Sequence, residues 1–447
     1  MERVRSKLKE RRSGAFLVYN FSLYLGALLL LPWATWRCLR HQEFRKAFPA
    51  RLGWAPGTSP ETAAPLLLHG VSVGEVKALR PLVRLLQSRH PTLPLAISSS
   101  TPGGLAIARA TYPGIPVHAY PLDLPGATRR FLERVRPRAV VLAELEIWPN
   151  FLHGCHSQGI PVAIVNGRIT ERSVRGYRRV QRWLPRFDRV AVYCVQNERY
   201  ADGFRALDVP PERVVVTGNL KYDSLPTESE EQGYWNSPWP RWHGDCPWIV
   251  WASTHAPEEE QLAKAWSRSP ARARAVVAVV PRHPRRADQI QEQLERCLPG
   301  AVLRRSQLAA EARVPPGSVL LVDTFGELEQ VFRATQAAFV GGSLIGHGGQ
   351  NVLEAAALGL PIVVGPHTEN FAEECDLLAE AGALQRASDA QEVVECLAGW
   401  LANPRAAGVA GDAGARVLAS RRGAAESTLT ALTRAGLLPR VISTPLS

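Results

Sequence analysis

From about residue 65 onward the sequence falls into short apolar runs that do not alternate with polar residues, each followed by a helical pattern. The first group is Leu66-Leu-Leu-His69, Leu95-Ala-Ile-Ser98, Ala139-Val-Val-Leu142, Val162-Ala-Ile-Val165 and Val190-Ala-Val-Tyr193. The second is Trp248-Ile-Val-Trp251, Ala275–Val280, Val319-Leu-Leu-Val322, Ala338-Phe-Val340 and Pro361-Ile-Val-Val364. A strand with one wet face alternates; runs of this kind belong to strands buried on both faces, in parallel sheets covered by helices. Val76, Leu79, Val83 and Leu86 form such a covering stripe after the first run. Between the groups, Tyr222 to Pro247 is rich in Pro, Trp, Ser and Glu and has no period, so 222–247 reads as a linker. The expectation is an α/β protein of two Rossmann-like domains, 51–221 and 248–447. Their site is expected in a central cleft, beyond the carboxyl ends of the strands.

A segment of different character precedes these halves. Between Arg12 and Arg37 lie 24 residues without a charge, enough to span about 30 Å of hydrocarbon as a helix. Tyr19, Tyr24, Trp33 and Trp36 stand toward its ends, where amphipathic rings favour a membrane interface. A signal peptide would have a shorter apolar core and an Ala-x-Ala-like cleavage site, and basic clusters on both sides disfavour a core helix. Residues 1–50 are therefore expected to be a basic membrane anchor, with the apolar helix at about 14–36.

Charge supports this reading. The net charge is +12, but residues 1–51 hold eleven Lys and Arg against three acids, leaving 42 against 38 in the rest. A duplex-binding protein spreads basic residues over a folded face, whereas here they flank an apolar segment, which suits a membrane surface. No nucleic-acid partner is expected, and no obligate protein partner is evident. The seven cysteines show no C-x-x-C and no regular spacing, as expected of reduced, mostly buried thiols. His153, Cys155 and His156 lack a second ligand pair, so no metal site is expected.

Several strand ends carry residues suited to chemistry. After the first run, Ser72-Val-Gly-Glu75 fits a capping box, in which Glu75 satisfies backbone N–H groups. It equally fits a carboxylate kept ionised at a helix start and able to take a proton. Ser98-Ser-Ser-Thr101-Pro-Gly-Gly104 is either a plain N-cap or an anion-binding turn. Glu144 and Glu146 follow a buried run, and alternation puts both on one side of an extended chain. Arg is the default cation, with 47 against six Lys, so Lys221 near the end of the first half suggests a place for a compact ammonium. In the second half, Arg282 suits a phosphate. Gly326 opens a helix, and six glycines within 341–359 imply a backbone close to a ligand. That loop has neither G-x-G-x-x-G nor P-loop spacing. Glu354 is placed to meet sugar hydroxyls.

In order along the chain, ten segments resemble the Kdo (3-deoxy-D-manno-octulosonic acid) transferases. They are Ser72-Val-Gly-Glu75, Ser100-Thr-Pro-Gly103, Pro121-Leu-Asp123-Leu-Pro125, Glu144-Leu-Glu146-Ile-Trp-Pro-Asn150 and Gly218-Asn-Leu-Lys221-Tyr-Asp223 in the first half. The second half adds Val280-Pro-Arg-His-Pro284, Asp323-Thr-Phe-Gly-Glu327-Leu328, Phe339-Val-Gly-Gly-Ser343, Gly348-Gly-Gln-Asn351, and Gly365-Pro-His367 with Asn370-Phe371. The family usually has Pro at Val352 and Met at Phe325.

The resemblance implies a GT-B glycosyltransferase with an N-terminal membrane-anchoring helix. It would transfer Kdo from CMP-Kdo to the tetraacylated lipid A precursor in lipopolysaccharide biosynthesis, with inversion. By the same carry-over, Glu75 is the general base, and Glu144 and Lys221 stabilise the transition state. Pro281, Arg282, Phe325, Gly326, Glu327, Asn351, Val352, Leu353 and Glu354 hold CMP. The first domain takes the acceptor and the second the donor, with no cofactor and no metal. The location implied is the inner membrane of a Gram-negative-type bacterium, with the body on the cytoplasmic side. The readings weighed against this one are a GT-B lipid glycosyltransferase using a UDP-sugar, and a catalytically dead, membrane-tethered GT-B binding protein.

Overall fold

The structure, a computed structural model, describes residues 2–40, 42–54, 63–180, 187–226, 237–243 and 246–439. Two compact units divide the chain: Met1–Ser224 with Arg422–Ser447, and Leu225–Arg421.

The first unit holds β1 (Leu66–His69), β2 (Leu95–Ser99), β3 (Val117–Ala119), β4 (Ala139–Ala143), β5 (Val162–Gly167), β6 (Val192–Val195) and β7 (Val214–Val216). Their order is β3-β2-β1-β4-β5-β6-β7, and every pairing is parallel, with Leu68 opposite Ile97 on one side and Val141 on the other. Side chains of period two are shared between two cores. Leu66, Leu68 and Val141 pack with Leu82 and Leu86, while Leu67, Val140 and Leu142 pack with Phe131, Phe151 and Phe204. Both faces are thus apolar, which is why the sequence runs do not alternate. Each such side chain contributes about 1.5–3 kcal/mol on full burial.

The second unit holds β8 (Trp248–Thr254), β9 (Val276–Pro281), β10 (Val302–Arg304), β11 (Val319–Leu321), β12 (Ala337–Val340), β13 (Ile362–Val364) and β14 (Leu384–Arg386). They pair in the order β10-β11-β9-β8-β12-β13-β14, again all parallel. In each sheet the first strand stands between its successor and a strand reached by crossing back: β1 between β2 and β4, β8 between β9 and β12. Such a reversal opens a crevice at the carboxyl ends of the two neighbouring strands, where ligands of α/β sheets bind.

Three boundaries differ from the sequence reading. Residues from 422 onward do not belong with 248–421. The helix Ala424–Arg434 places Leu429 and Leu432 in the core with Leu82 and Leu86, and Asp223 accepts hydrogen bonds from the N–H groups of Gly423 (2.7 Å) and Ala425 (2.6 Å) at its start. Apolar burial and capping together draw the segment back to the first unit. Secondly, the expected linker 222–247 is not uniformly a linker. Residues 227–236 and 244–245 lie outside the described residues, but Trp239–His243 is helical, with Trp239 and Trp242 buried in the second unit.

Thirdly, the N-terminal helix runs unbroken over Glu2–Arg40. Its stretch Gly14–Arg40 is long and apolar enough to cross a membrane. Tyr19, expected to be an interfacial ring, is engaged by protein: its hydroxyl donates to Asp123 Oδ2 (2.9 Å). Beside it, Asn150 Nδ2 donates to Asn20 Oδ1 (2.7 Å), and Phe16 packs on His153 at 5.1 Å. Asp123 is buried and also accepts from the N–H groups of Asn150 and Phe151. Burial pushes its carboxyl up to about 6, against the pull of these donors. Leu28–Leu31, farther along the helix, are exposed.

Candidate active site

The turn after β1 carries Glu75 in the helix Val73–Ala78, and both readings of that residue meet in the structure. Its Oε2 accepts from the Val71 N–H (2.8 Å), its Oε1 from the Ser72 hydroxyl (2.8 Å), and Ser72 Oγ accepts from the Glu75 N–H (3.2 Å). The capping box is therefore made. Of the two readings of 98–104, the N-cap is made: Thr101 Oγ1 accepts from the Gly104 N–H (3.1 Å), and the Ser99 and Thr101 hydroxyls both donate to the Val71 carbonyl (2.9 Å each).

Across the reversal, the chain leaves β4 at Ala143. Glu144 has a φ of 59°, a left-handed conformation uncommon outside glycine and often found at functional sites. The chain is thus bent, not extended, yet Glu144 and Glu146 do share one site with Glu75. Burial, reinforced by the Glu75 carboxylate, holds the Glu144 carboxyl above its ordinary value, while Lys221 and Arg168 oppose that. Burial also raises Glu146, to about 7, with Glu75 and Glu144 adding to the effect and a hydrogen bond from Trp148 Nε1 (2.6 Å) resisting it.

Lys221 enters from the other flank, on the short helix Leu220–Asp223 after β7. Asn219 caps that helix through the Lys221 N–H (3.0 Å), and Asn166 Oδ1 accepts from the Leu220 N–H (3.0 Å). Gln196 joins them, donating to the Asn166 carbonyl (3.0 Å) and accepting from Asn219 Nδ2 (3.2 Å). Asn166 is itself left-handed (φ 53°) at a register shift in β5. The ends of β5, β6 and β7 thus converge to seat the ammonium that acts on Glu144.

The second sheet ends differently. Arg282 follows β9 and is exposed, its N–H donating to the Thr254 carbonyl (3.0 Å). Phe325 is 76% exposed in the loop after β11, beside Gly326 at φ 84°. The Glu327 carboxylate is occupied within the unit by Trp239 Nε1 (2.9 Å), Arg305 Nε (2.8 Å) and the Thr324 hydroxyl (2.7 Å). Burial raises this group, but those donors outweigh it and hold it below the usual range. Asn351 accepts from the Leu353 N–H (3.1 Å) and donates to Glu354 (3.0 Å) at the start of the helix Leu353–Ala357. Val352 and Leu353 are buried, so their side chains belong to the core and only their backbone can face a ligand.

The glycine loop after β12 needs correction. Its first N–H groups, from Gly342 (2.7 Å), Ser343 (3.1 Å) and Leu344 (3.0 Å), all donate to the fully buried Glu258, which also takes the His255 N–H (2.9 Å). Gly341 is required by the protein backbone, since a Cβ there would meet Thr254 Cα at 2.7 Å and the Ser253 carbonyl oxygen at 2.9 Å. Any backbone donors for a ligand therefore come from later in the loop. Among the described residues, no group of three or more His, Cys, Asp or Glu could hold a metal ion. Cys155, Cys194 and Cys375 are buried, and burial pushes the Cys194 thiol up to about 12.

Residues 46–224 match the family described as 3-Deoxy-D-manno-octulosonic-acid transferase (kdotransferase). The 3-deoxy-D-manno-octulosonic acid transferase of Bordetella pertussis is 35% identical over 93% of this chain and 98% of its own. That of Haemophilus influenzae is 32% identical over 93% of this chain and 97% of its own. The chain belongs to the Kdo transferase family. It is a glycosyltransferase with a GT-B fold. The UDP-GlcNAc 2-epimerase from Neisseria meningitidis, solved bound to UDP-GlcNAc, shares that fold at a TM-score of 0.57 and 14% identity, covering 83% of this chain and all of that one.

In this Kdo transferase, Glu75, Glu144, Glu146 and Lys221 gather on the rim of the first sheet. The candidate CMP contacts lie on loops at the carboxyl ends of β9, β11 and β12. Sequence reasoning passed over Asn166 and Gln196, which seat the lysine helix, and over Thr254-His255-Ala-Pro-Glu258, which orders the glycine loop. A signal for the latter did exist: a polar stretch with a carboxylate three residues past a histidine, just after the first apolar run of the second half.

Proposed function

We propose that this Kdo transferase takes CMP-Kdo as donor and a tetraacylated lipid A precursor as acceptor, and that transfer inverts the anomeric carbon. The acceptor sits on the first unit and CMP-Kdo on the second. Glu75 removes the proton from the acceptor hydroxyl. Glu144 faces the positive charge that grows on the Kdo ring, and Lys221 faces the negative charge on the departing CMP. Pro281, Arg282, Phe325, Gly326, Glu327 and the backbone of Asn351 to Glu354 hold the nucleotide, with Phe325 as a surface for the base. Within the second unit the countercharge to phosphate comes from Arg282, without a metal or cofactor. The N-terminal helix and its basic flanks keep the enzyme on the inner membrane, with its body on the cytoplasmic side.

The observation carrying this reading is that three carboxylates from the ends of β1 and β4 act on one another at the topological reversal of the first sheet, and that the ammonium carried after β7 acts on one of them, Glu144. A general base needs neighbours that tune its proton affinity, and a developing ion pair needs fixed charges of both signs. Family membership supplies the sugar. The test is transfer from freshly generated CMP-Kdo to the tetraacylated precursor, followed by mass spectrometry and by the anomeric configuration of the product. A product of inverted configuration is expected. Absence of product from enzyme that still binds CMP would overturn the acceptor assignment, and a retained configuration would overturn direct displacement.

A further inference from the structure

Three imidazoles meet at the reversal of the second sheet. His255 follows β8, His283 follows β9, and His347 lies in the loop after β12. The His255 ring is 4.2 Å from that of His347 and 5.7 Å from that of His283, centroid to centroid. Gln350 Nε2 donates to His255 Nε2 (3.1 Å), which leaves the ring proton on Nδ1. Burial lowers the His255 pKa to about 4, and His347, His283, Arg282 and Arg286 all add to the effect. His255 is consequently a neutral hydrogen-bond donor near pH 7.

The permanent charges acting on His255 are the guanidinium groups of Arg282 and Arg286, and the carboxylates nearest in sequence are already committed. Glu258 is spent on four backbone N–H groups. Glu259 is taken by Arg286 (3.1 Å) and Thr254 (3.1 Å). Packing does not require this arrangement, because Arg282, His283 and His347 are exposed. The frame beneath it is stiff. Glu258 ties the end of β8 to the loop after β12, and Ser253 holds a left-handed φ of 54° at a register shift between β8 and β9. A rigid corner of donors and positive charge, with no paired anion among the described residues, is built to receive one.

The donor assigned above carries two anions on one sugar carbon, a phosphate and a carboxylate. Phosphate is well served by a permanent guanidinium and by backbone N–H groups, which Arg282 and the turn at Asn351 provide. A flat carboxylate, retained by the sugar throughout transfer, suits directional imidazole N–H donors. We propose that His255, His283 and His347 form the subsite for the carboxylate of the sugar acid being transferred, and that this subsite separates such donors from neutral nucleotide sugars. The proposal rests on the donor reading of the preceding subsection.

The experiment compares KM for CMP-Kdo with Ki for CMP in the wild type and in His255→Gln, His283→Ala and His347→Ala. Losing hydrogen bonds to a charged group should raise KM about tenfold or more, with Ki changed less than about twofold. Equal rises in KM and Ki would assign the cluster to phosphate and overturn the proposal, as would unchanged KM in all three variants. Should His255→Gln fail to fold, the two exposed positions decide. If the wild type forms no product, the reaction reading fails on its own account. The subsite then stands only if CMP-Kdo protects the wild type from heat better than CMP does, and if His347→Ala loses that margin.

Discussion

In the first sheet the strand order is β3-β2-β1-β4-β5-β6-β7, and in the second it is β10-β11-β9-β8-β12-β13-β14; six strands correspond, with β7 added at one edge of the first and β10 at the opposite edge of the second. Both put their reversal beside the first strand, and both bend a non-glycine residue into left-handed backbone there, Glu144 in one and Ser253 in the other. The loops then diverge. After β1 and β4 they bring carboxylates together, and after β8, β9 and β12 they bring imidazoles and a guanidinium. Topology decides where a site stands, and the few residues past each strand decide its chemistry. On the proposed function, the first rim moves the proton and the second holds the donor's anions.

The largest effect expected is that of Glu75→Gln, which should lower turnover by about 10²–10⁴, the usual range for a general base, while CMP affinity measured by calorimetry stays at the wild-type value. Retained turnover would reduce Glu75 to its capping role, and lost CMP affinity would break the division between the rims. Next comes Lys221→Ala, expected to lower kcat by about 10²–10³ and by more than it raises KM. A pure KM effect in steady-state kinetics would make Lys221 a ground-state binder.

Stability sharpens the comparison of the units themselves. Leu432→Ala should cost about 2–5 kcal/mol in denaturant unfolding, because the side chain is fully buried in the first unit's core. Val409→Ala, 62% exposed, should stay within about 0.5 kcal/mol. Asp223→Ala removes the acceptor for two helix-start N–H groups and should cost about 1–2 kcal/mol. Its kcat should fall with it if the Lys221 helix shifts, and an unchanged kcat would show that helix to be seated by Asn166 and Asn219 alone.

The smallest effect concerns Glu146, raised to about 7 by burial and neighbouring carboxylates. A carboxyl raised on folding binds more protons folded than unfolded. Its ionisation therefore costs nothing below the ordinary carboxylate range, and the full penalty is present above pH 7. Glu146→Gln should thus raise Tm by a few degrees at pH 8 and by little at pH 4. An equal gain at both pH values would show that the ionised carboxylate is not penalised.

All ten strands expected from unalternating runs are present, and the four missed, β3, β7, β10 and β14, are the four sheet edges. Each has three residues. An edge strand is only partly covered, so no long apolar run is needed to make it, and none marks it. The carboxylates of the first rim were legible because charge directly after a buried run is hard to place in a core. Glu258 was not, since an acid in the first turn of a helix is commonplace; only its burial under four N–H groups reveals a different task. The glycines after β12 were noticed for the right reason, close backbone approach, but at Gly341 the approaching backbone is the protein's own.

The return of residues 422–439 to the first unit sets an order on biosynthesis. Asp223 lies two residues from Lys221, yet the N–H groups it caps belong to Gly423 and Ala425, which a ribosome adds only after the whole of 225–421. The core around Leu82 and Leu86 waits for Leu429 and Leu432. A nascent chain arrested anywhere within the second unit would lack part of its first core, and the lysine helix would gain its final bracing only once the second unit has been made.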